Sequence, residues 1–278
     1  MIEIMKHNAI FILFLVINLV FMNSCVKDRD ELTNNFVLAS EDLTAQQDLL
    51  DANELEITEQ IDLGLIAMTT RSFPTRSWAN PKGSYPNTLT IDYGPTGVKD
   101  AYNRIRKGKL IIFISAPIHN AGSVREVQHE DFYIDDVNVQ GKVVLLNQGP
   151  NNAGQNEFLR TVSGRTLIFP SNKSIGWNAT QIITQLDGNA TPELRLDDVW
   201  SILSASSGVN RNGTNFTVTS SKKLIYKFTC PWIVEGSITL SIEGKTLSID
   251  YGNGICNNIA ILTLPDGNTR EILIRRWW

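Results

Sequence analysis

Histidine, cysteine and methionine are scarce in these 278 residues, with three, three and four copies. Three cysteines exclude a disulfide-dense miniprotein, and the odd number means that at least one lacks an internal partner. There is no Gly-x-Ser-x-Gly, no His-Glu-x-x-His, no P-loop and no Gly-x-Gly-x-x-Gly, so no motif names an enzyme, a cofactor or a metal. Only one stretch, near the N-terminus, is continuously apolar, and mean hydropathy is −0.10. That excludes a protein built from several membrane helices. With 42% hydrophobic and 19% charged residues, the composition is that of a folded chain,.

The apolar stretch runs from Ala9 to Met22, broken by Asn18. As a helix it would span about 21 Å, short of the ~30 Å hydrocarbon core, so it reads as the h-region of a signal peptide. It ends at Met22-Asn23-Ser24-Cys25. A small residue followed by Cys resembles a bacterial lipobox. The resemblance implies cleavage between Ser24 and Cys25 and lipidation of Cys25, with acyl chains such as palmitate anchoring the protein. Met22 and Asn23 depart from the usual choices, as they do in the loose lipoboxes of Bacteroidota. Val26-Lys27-Asp28-Arg29-Asp30-Glu31 is similar to the charged export signals of Bacteroidota surface lipoproteins. The expected location is the outer membrane, facing the cell surface, with the periplasmic leaflet as the alternative.

The net charge of −4 hides a division. Residues 26–70 hold two basic and eleven acidic side chains, a net of −9, whereas residues 71–278 hold 22 basic and 17 acidic, a net of +5. That excess is too dilute for a nucleic-acid stripe. Within the acidic part, Leu43, Leu50, Ile57, Ile61, Leu65 and Met68 recur at helical spacing and predict a helix over 40–69,. Ser40 is a candidate cap, and Thr44 with Gln47 offers another start. The apolar stripe must bury against the same chain or a partner. Arg71 to Tyr85, with Pro74, Pro81 and Gly83, reads as a linker.

From about Asn87 the period changes to two. Strands are predicted at Thr88–Tyr93, Lys109–Ser115, Phe132–Val139, Lys142–Leu146, Thr166–Phe169, Asn215–Thr219 and Leu224–Thr229. Others are predicted at Ser237–Ile242, Thr246–Tyr251, Ile259–Leu264 and Thr269–Ile274. Gln140-Gly141, Glu243-Gly244 and Asp266-Gly267 signal turns. Residues 176–205 leave room for a short helix. The fold class is therefore mainly β: an antiparallel, hairpin-built sandwich or related duplicated architecture behind an N-terminal helix. The implied domains are a signal peptide (1–24), an acidic helical stalk and linker (25–86) and a β body (87–278), with possible halves 87–170 and 206–278. Duplication is suggested by Thr88-Leu-Thr-Ile-Asp-Tyr-Gly94, which recurs as Thr246-Leu-Ser-Ile-Asp-Tyr-Gly252,. Val139-Gln-Gly-Lys142 likewise echoes Ile242-Glu-Gly-Lys245, with weaker copies at Gly108-Lys109 and Gly164-Arg165.

These strings, with Arg106-Lys-Gly-Lys-Leu-Ile-Ile112, Trp232 and Gly236-Ser-Ile-Thr-Leu240, resemble an uncharacterised family of Bacteroidota outer-membrane lipoproteins with repeated Ile-Asp-Tyr-Gly units. The resemblance covers most of the chain from Thr88 onward. Val98 and Asn257 depart from the family's frequent Cys and Asp, which weakens a metal reading of those loops. The resemblance implies location and fold, and no activity.

Five groups of residues are candidates for chemistry. Cys230 and Cys256 remain once Cys25 is assigned. Extending the hairpin about Glu243-Gly244 sets Cys230 opposite Asn257, one residue from Cys256, so a disulfide is the candidate and two free thiols the alternative. Arg104, Arg106, Lys107 and Lys109 crowd one turn, either as a solvated face or as an anion patch for surface polysaccharide or lipopolysaccharide. His129-Glu130-Asp131, Asp135-Asp136 and Asp197-Asp198 are neighbours on strands, where adjacent side chains diverge. The glycine-containing loops Asp92–Asp100 and Asp250–Asn258 read as turns or bulges rather than calcium loops. The terminal Arg275-Arg276-Trp277-Trp278 ends the last strand or meets a membrane interface.

The sequence thus leads to a non-catalytic surface lipoprotein that binds a glycan or a host or envelope protein, or has a structural role, with no cofactor, no metal and no nucleic acid. A fimbrillin-like adhesin subunit, matured by cleavage after Arg71 or Arg76, is the alternative. A glycan-active enzyme with converging carboxylates is the third reading.

Overall fold

A computed structural model describes residues 31–54, 56–58, 61, 74–100, 103–191 and 194–274. The signal segment, Ser24, Cys25, Leu65, Met68, Arg71 and the terminal Arg-Arg-Trp-Trp lie outside them. Among these residues one α-helix, α1, takes in 31–54, 56–58 and 61, and fourteen antiparallel strands follow in a single open sheet. They are β1 (Thr75–Trp78), β2 (Asn87–Asp92), β3 (Val98–Lys99), β4 (Ile105–Ile114), β5 (Val124–Ile134), β6 (Val137–Pro150) and β7 (Asn156–Ile168). After these come β8 (Ser174–Asp187), β9 (Val199–Val209), β10 (Asn215–Lys227), β11 (Ile233–Ile242), β12 (Lys245–Asn253), β13 (Ile259–Thr263) and β14 (Thr269–Leu273). Each strand pairs with the next in chain order, except that β2 pairs with β4 and β3 lies aside on β4. Among the described residues no helix is long and apolar enough to cross a membrane.

The protein is therefore mainly β and hairpin-built behind an N-terminal helix, with its strands in one open sheet. The halves 87–170 and 206–278 are not separated, because β8 and β9 carry the pairing through residues 176–205. Among the described residues between β8 and β9 the helical element is a 3₁₀ turn, Arg195–Asp197. The linker also contributes a strand, since β1 pairs with β2 from Thr75↔Asp92 to Trp78↔Leu89.

The helix is the centre of the fold. Phe36, Ala39, Leu43, Leu49, Leu50 and Ile57 are buried in one cluster with residues from both ends of the sheet. Asp42, Gln46, Asn53 and Glu56 are buried as well, so burial extends round most of the helix. A stalk would keep one polar face in water; here the sheet curls about the helix and covers the polar side too. Ser40 is not a cap: its Oγ donates to Phe36 O at 2.8 Å within the helix, which begins earlier so that Phe36 and Ala39 can fill the core. Burying each large apolar side chain contributes about 1.5–3 kcal/mol, so apolar contact drives this closure.

Bulges curl the sheet. The register slips between Lys107 and Lys109, between Gln140 and Lys142, and between Val162 and Arg165. It slips again between Thr219 and Leu224 and between Glu235 and Ser237. Gly108, Gly141 and Gly164 lie in these slips with φ of 77°, 94° and 58°. The echo at Gln140-Gly141 is thus a bulge inside β6 and not a turn. The chain turns instead at Asp135-Asp136, both at positive φ, which splits the predicted strand Phe132–Val139. Asn215–Thr219 and the first four residues of Leu224–Thr229 likewise belong to one bulged strand, β10, while Phe228 and Thr229 lie in the turn after it.

The long echo is reproduced in three dimensions. Asp92 Oδ1 accepts from Gly94 N at 2.8 Å, and Asp250 Oδ1 accepts from Gly252 N at 2.8 Å. In both copies the intervening tyrosine, Tyr93 or Tyr251, is buried.

Candidate functional site

Six arginines of the sheet and its loops reach the polar residues of α1. Arg104 pairs with Asp48 at 3.2 Å, Arg160 with Asp51 at 3.4 Å, and Arg125 with Glu54. Arg211 binds Glu41 and also Asp42, to which its backbone N–H donates at 2.7 Å. Its Nε lies 3.0 Å from Asp42 Oδ1 but off the N–H axis, so that contact is an ion pair without a hydrogen bond. Arg106 donates to Asn53 Oδ1 at 2.6 Å and to Ala52 O at 3.1 Å, and Arg165 donates to Gln46 Oε1 at 3.0 Å. Arginine suits this work because its planar, weakly hydrated fork tolerates burial better than an ammonium. The acidic leader and the basic body are thus two sides of one internal interface. Such pairs add little net stability against their desolvation, but they fix how the helix sits in the sheet.

Burial pushes the Asp42 carboxyl up to about 6, against the pull of Arg211. It also raises Asp51, against Arg160. His129 is held down to about 4 by burial and by the Arg165 charge. Its Nδ1 lies 2.8 Å from Gly141 O and therefore carries the proton, while Nε2 faces Asn53 Nδ2 at 3.3 Å and accepts. His129 is a link in a polar chain through Asn53 to Arg106 and does not act with Glu130, which pairs outward with Lys109.

The proposed anion patch does not come together. Arg104 and Arg106 are drawn inward to Asp48 and Asp100, while Lys107 and Lys109 point outward to Asp136 and Glu130. Each of the four cations has a carboxylate partner. The paired acids are also structural. Asp135 Oδ1 accepts from Ile105 N, Asp197 Oδ2 from Thr191 Oγ1, and Asp198 Oδ1 from Gln185 Nε2. Cys230 and Cys256 are joined in a disulfide, with Cα atoms 5.7 Å apart.

One cavity gathers groups suited to a ligand. It encloses about 80 Å³ where α1 meets the last strands. Asp48 and Asp51, one turn apart on the helix, form its polar wall with Gln47 and Arg104. Tyr226, Trp232 and Tyr251 form the aromatic wall, and Ile233 and Ile274 close it. Trp232 follows Cys230-Pro231, so the disulfide ties this rim to the loop after β12. Aromatic faces beside fixed carboxylates and a guanidinium present stacking surfaces, acceptors and donors to one small polar ring. Residue-by-residue reading of the sequence missed this site. Its signals were two acids at i,i+3 on a helix and a Trp next to a cysteine, each unremarkable alone. Compared with protein-family models, with curated proteins and with solved structures, the chain matches none.

Proposed function

We propose that this chain is an outer-membrane lipoprotein of the cell surface, acylated at Cys25, whose β body binds a glycan. The observation that carries the binding reading is the cavity in which Trp232, Tyr226 and Tyr251 face Asp48, Asp51 and Arg104. Its size admits the edge of one sugar ring rather than a whole ring or a long chain,. The anchor rests on the apolar segment ending at Ser24-Cys25. The five residues between Cys25 and the start of α1 can span at most about 20 Å, so an acylated chain holds its body close to the membrane. The test is metabolic labelling with an alkynyl fatty acid, joined to protease treatment of intact cells. Labelled protein that is lost on shaving supports the reading. Unlabelled protein, or label that survives shaving but not lysis, counts against it.

The burial of α1 favours this reading over a fimbrillin-like subunit. Maturation after Arg71 would sever from the body the helix that fills its core. A glycan hydrolase is the second reading, because burial raises Asp51 while Asp48 stands one turn away, a pairing suited to an acid and a base,. Release of reducing sugar that disappears in Asp51→Asn would establish it.

A further inference from the structure

Arg165 differs from the other arginines that meet α1. It is 1% exposed, its Nε donates to Gln46, and its Nη1 and Nη2 have no hydrogen-bond partner. The two carboxylates that act on it through space, Glu54 and Asp51, are engaged by Arg125 and Arg160. Directly across the β7–β8 ladder lies Trp177, also 1% exposed, whose Nε1 is likewise buried without a partner.

Both side chains carry donors only. A buried cation without a counter-charge costs several kcal/mol, and each unmet buried N–H adds to that. Arg165 and Trp177 line one cavity, with Thr166, Asn178 and Ser207 beside them, so the unmet donors border space that a small ligand can enter. A water there can accept from these groups but supplies no charge. A small anion brings only acceptor capacity and the missing charge.

The geometry points to a buried halide site, chloride under ordinary conditions, held by the Arg165 guanidinium and the Trp177 indole N–H between α1 and the β7–β8 ladder. The site is internal and separate from the aromatic cavity. Chloride is therefore a structural ligand: it neutralises the sixth arginine and secures the sheet on the N-terminal half of the helix.

The test uses the full chain. Crystals grown in bromide are expected to show an anomalous peak within hydrogen-bond reach of Arg165 Nη and Trp177 Nε1. In solution, the melting temperature should rise and saturate with chloride, relative to gluconate at equal ionic strength. Trp177→Phe keeps the ring and removes only the N–H, so it should raise the chloride concentration needed by roughly tenfold. Arg165→Met should abolish the chloride dependence, and the bromide crystals keep the proposal testable if that variant does not fold. Ordered water with no anomalous signal, or equal melting in chloride and gluconate, overturns it.

Discussion

Arg106 Nε donates to Asp100 at 2.9 Å, and neither side chain has any solvent exposure. The same guanidinium holds Asn53 and Ala52 of the helix, so one residue joins the β3–β4 loop, the sheet and α1. Replacing it by alanine leaves Asp100 buried without its counter-charge, which costs about 3–5 kcal/mol. Urea denaturation of Arg106→Ala should show that loss, and Arg106→Ala with Asp100→Ala should recover part of it. Equal stability of Arg106→Ala and wild type would contradict the arrangement.

Acid should act on this fold through two groups with opposite signs. His129 titrates at about 4 in the fold and near its usual 6.5 when unfolded,. Between those values the unfolded chain binds more protons, so stability falls as the pH drops through the window. Asp42 titrates at about 6 in the fold against 3.8 unfolded. There the folded chain binds more protons, so stability rises as the pH drops from 6 toward 4. Each effect reaches about 3 kcal/mol at full extent. Asp42→Asn should therefore steepen the acid loss, and His129→Gln should flatten it. The check is denaturation across pH 4–7; parallel pH slopes in all three proteins would refute it.

The bulge glycines Gly108 and Gly141 differ from the turn glycine Gly83 in the space around them. A Cβ at Gly108 would sit 2.0 Å from Asp131 O, whereas at Gly83 it would meet nothing within 4 Å, and both residues have positive φ. Gly83→Ala should cost about 1 kcal/mol from backbone strain alone. Gly108→Ala must also displace β5, so its cost should exceed ~3 kcal/mol. Thermal melts of the two variants give the comparison.

The disulfide closes a loop with a sequence separation of 26 residues. In the chain-entropy account this contributes about 3–4 kcal/mol. Non-reducing digestion and mass spectrometry should recover a linked Cys230–Cys256 peptide. The Cys230→Ser, Cys256→Ser double variant should lose that stability and loosen the Trp232 rim. Two fully alkylatable thiols in the native protein would exclude the bond.

Strand placement was legible where one face is buried. Thr88-Leu89-Thr90-Ile91 alternates because Leu89 and Ile91 face the core, and the same holds for Leu247 and Ile249. The Glu243-Gly244 turn was legible as well, with Ile242 opposite Lys245. Gly141 misled because a bulge and a turn both need positive φ, and only the continuing partner β7 distinguishes them,. The apolar stripe of α1 was visible, but its all-round burial was not. Asp42, Asn53 and Glu56 look solvent-facing until Arg211, Arg106 and Tyr93 arrive from distant strands and loops. The cavity was hidden for the same reason: Asp48 and Trp232 come from far-apart parts of the chain and meet only because the sheet curls.

The most direct measurement of the central claim is glycan-array binding by residues 26–278 beside its Trp232→Ala variant. The account predicts binding to one glycan class by the first. It also predicts a loss of at least about tenfold in the second, with the native circular-dichroism spectrum kept although Trp232 packs against the core, because a central aromatic contact is removed,. Undiminished binding by Trp232→Ala, or no glycan bound by either protein, would contradict it.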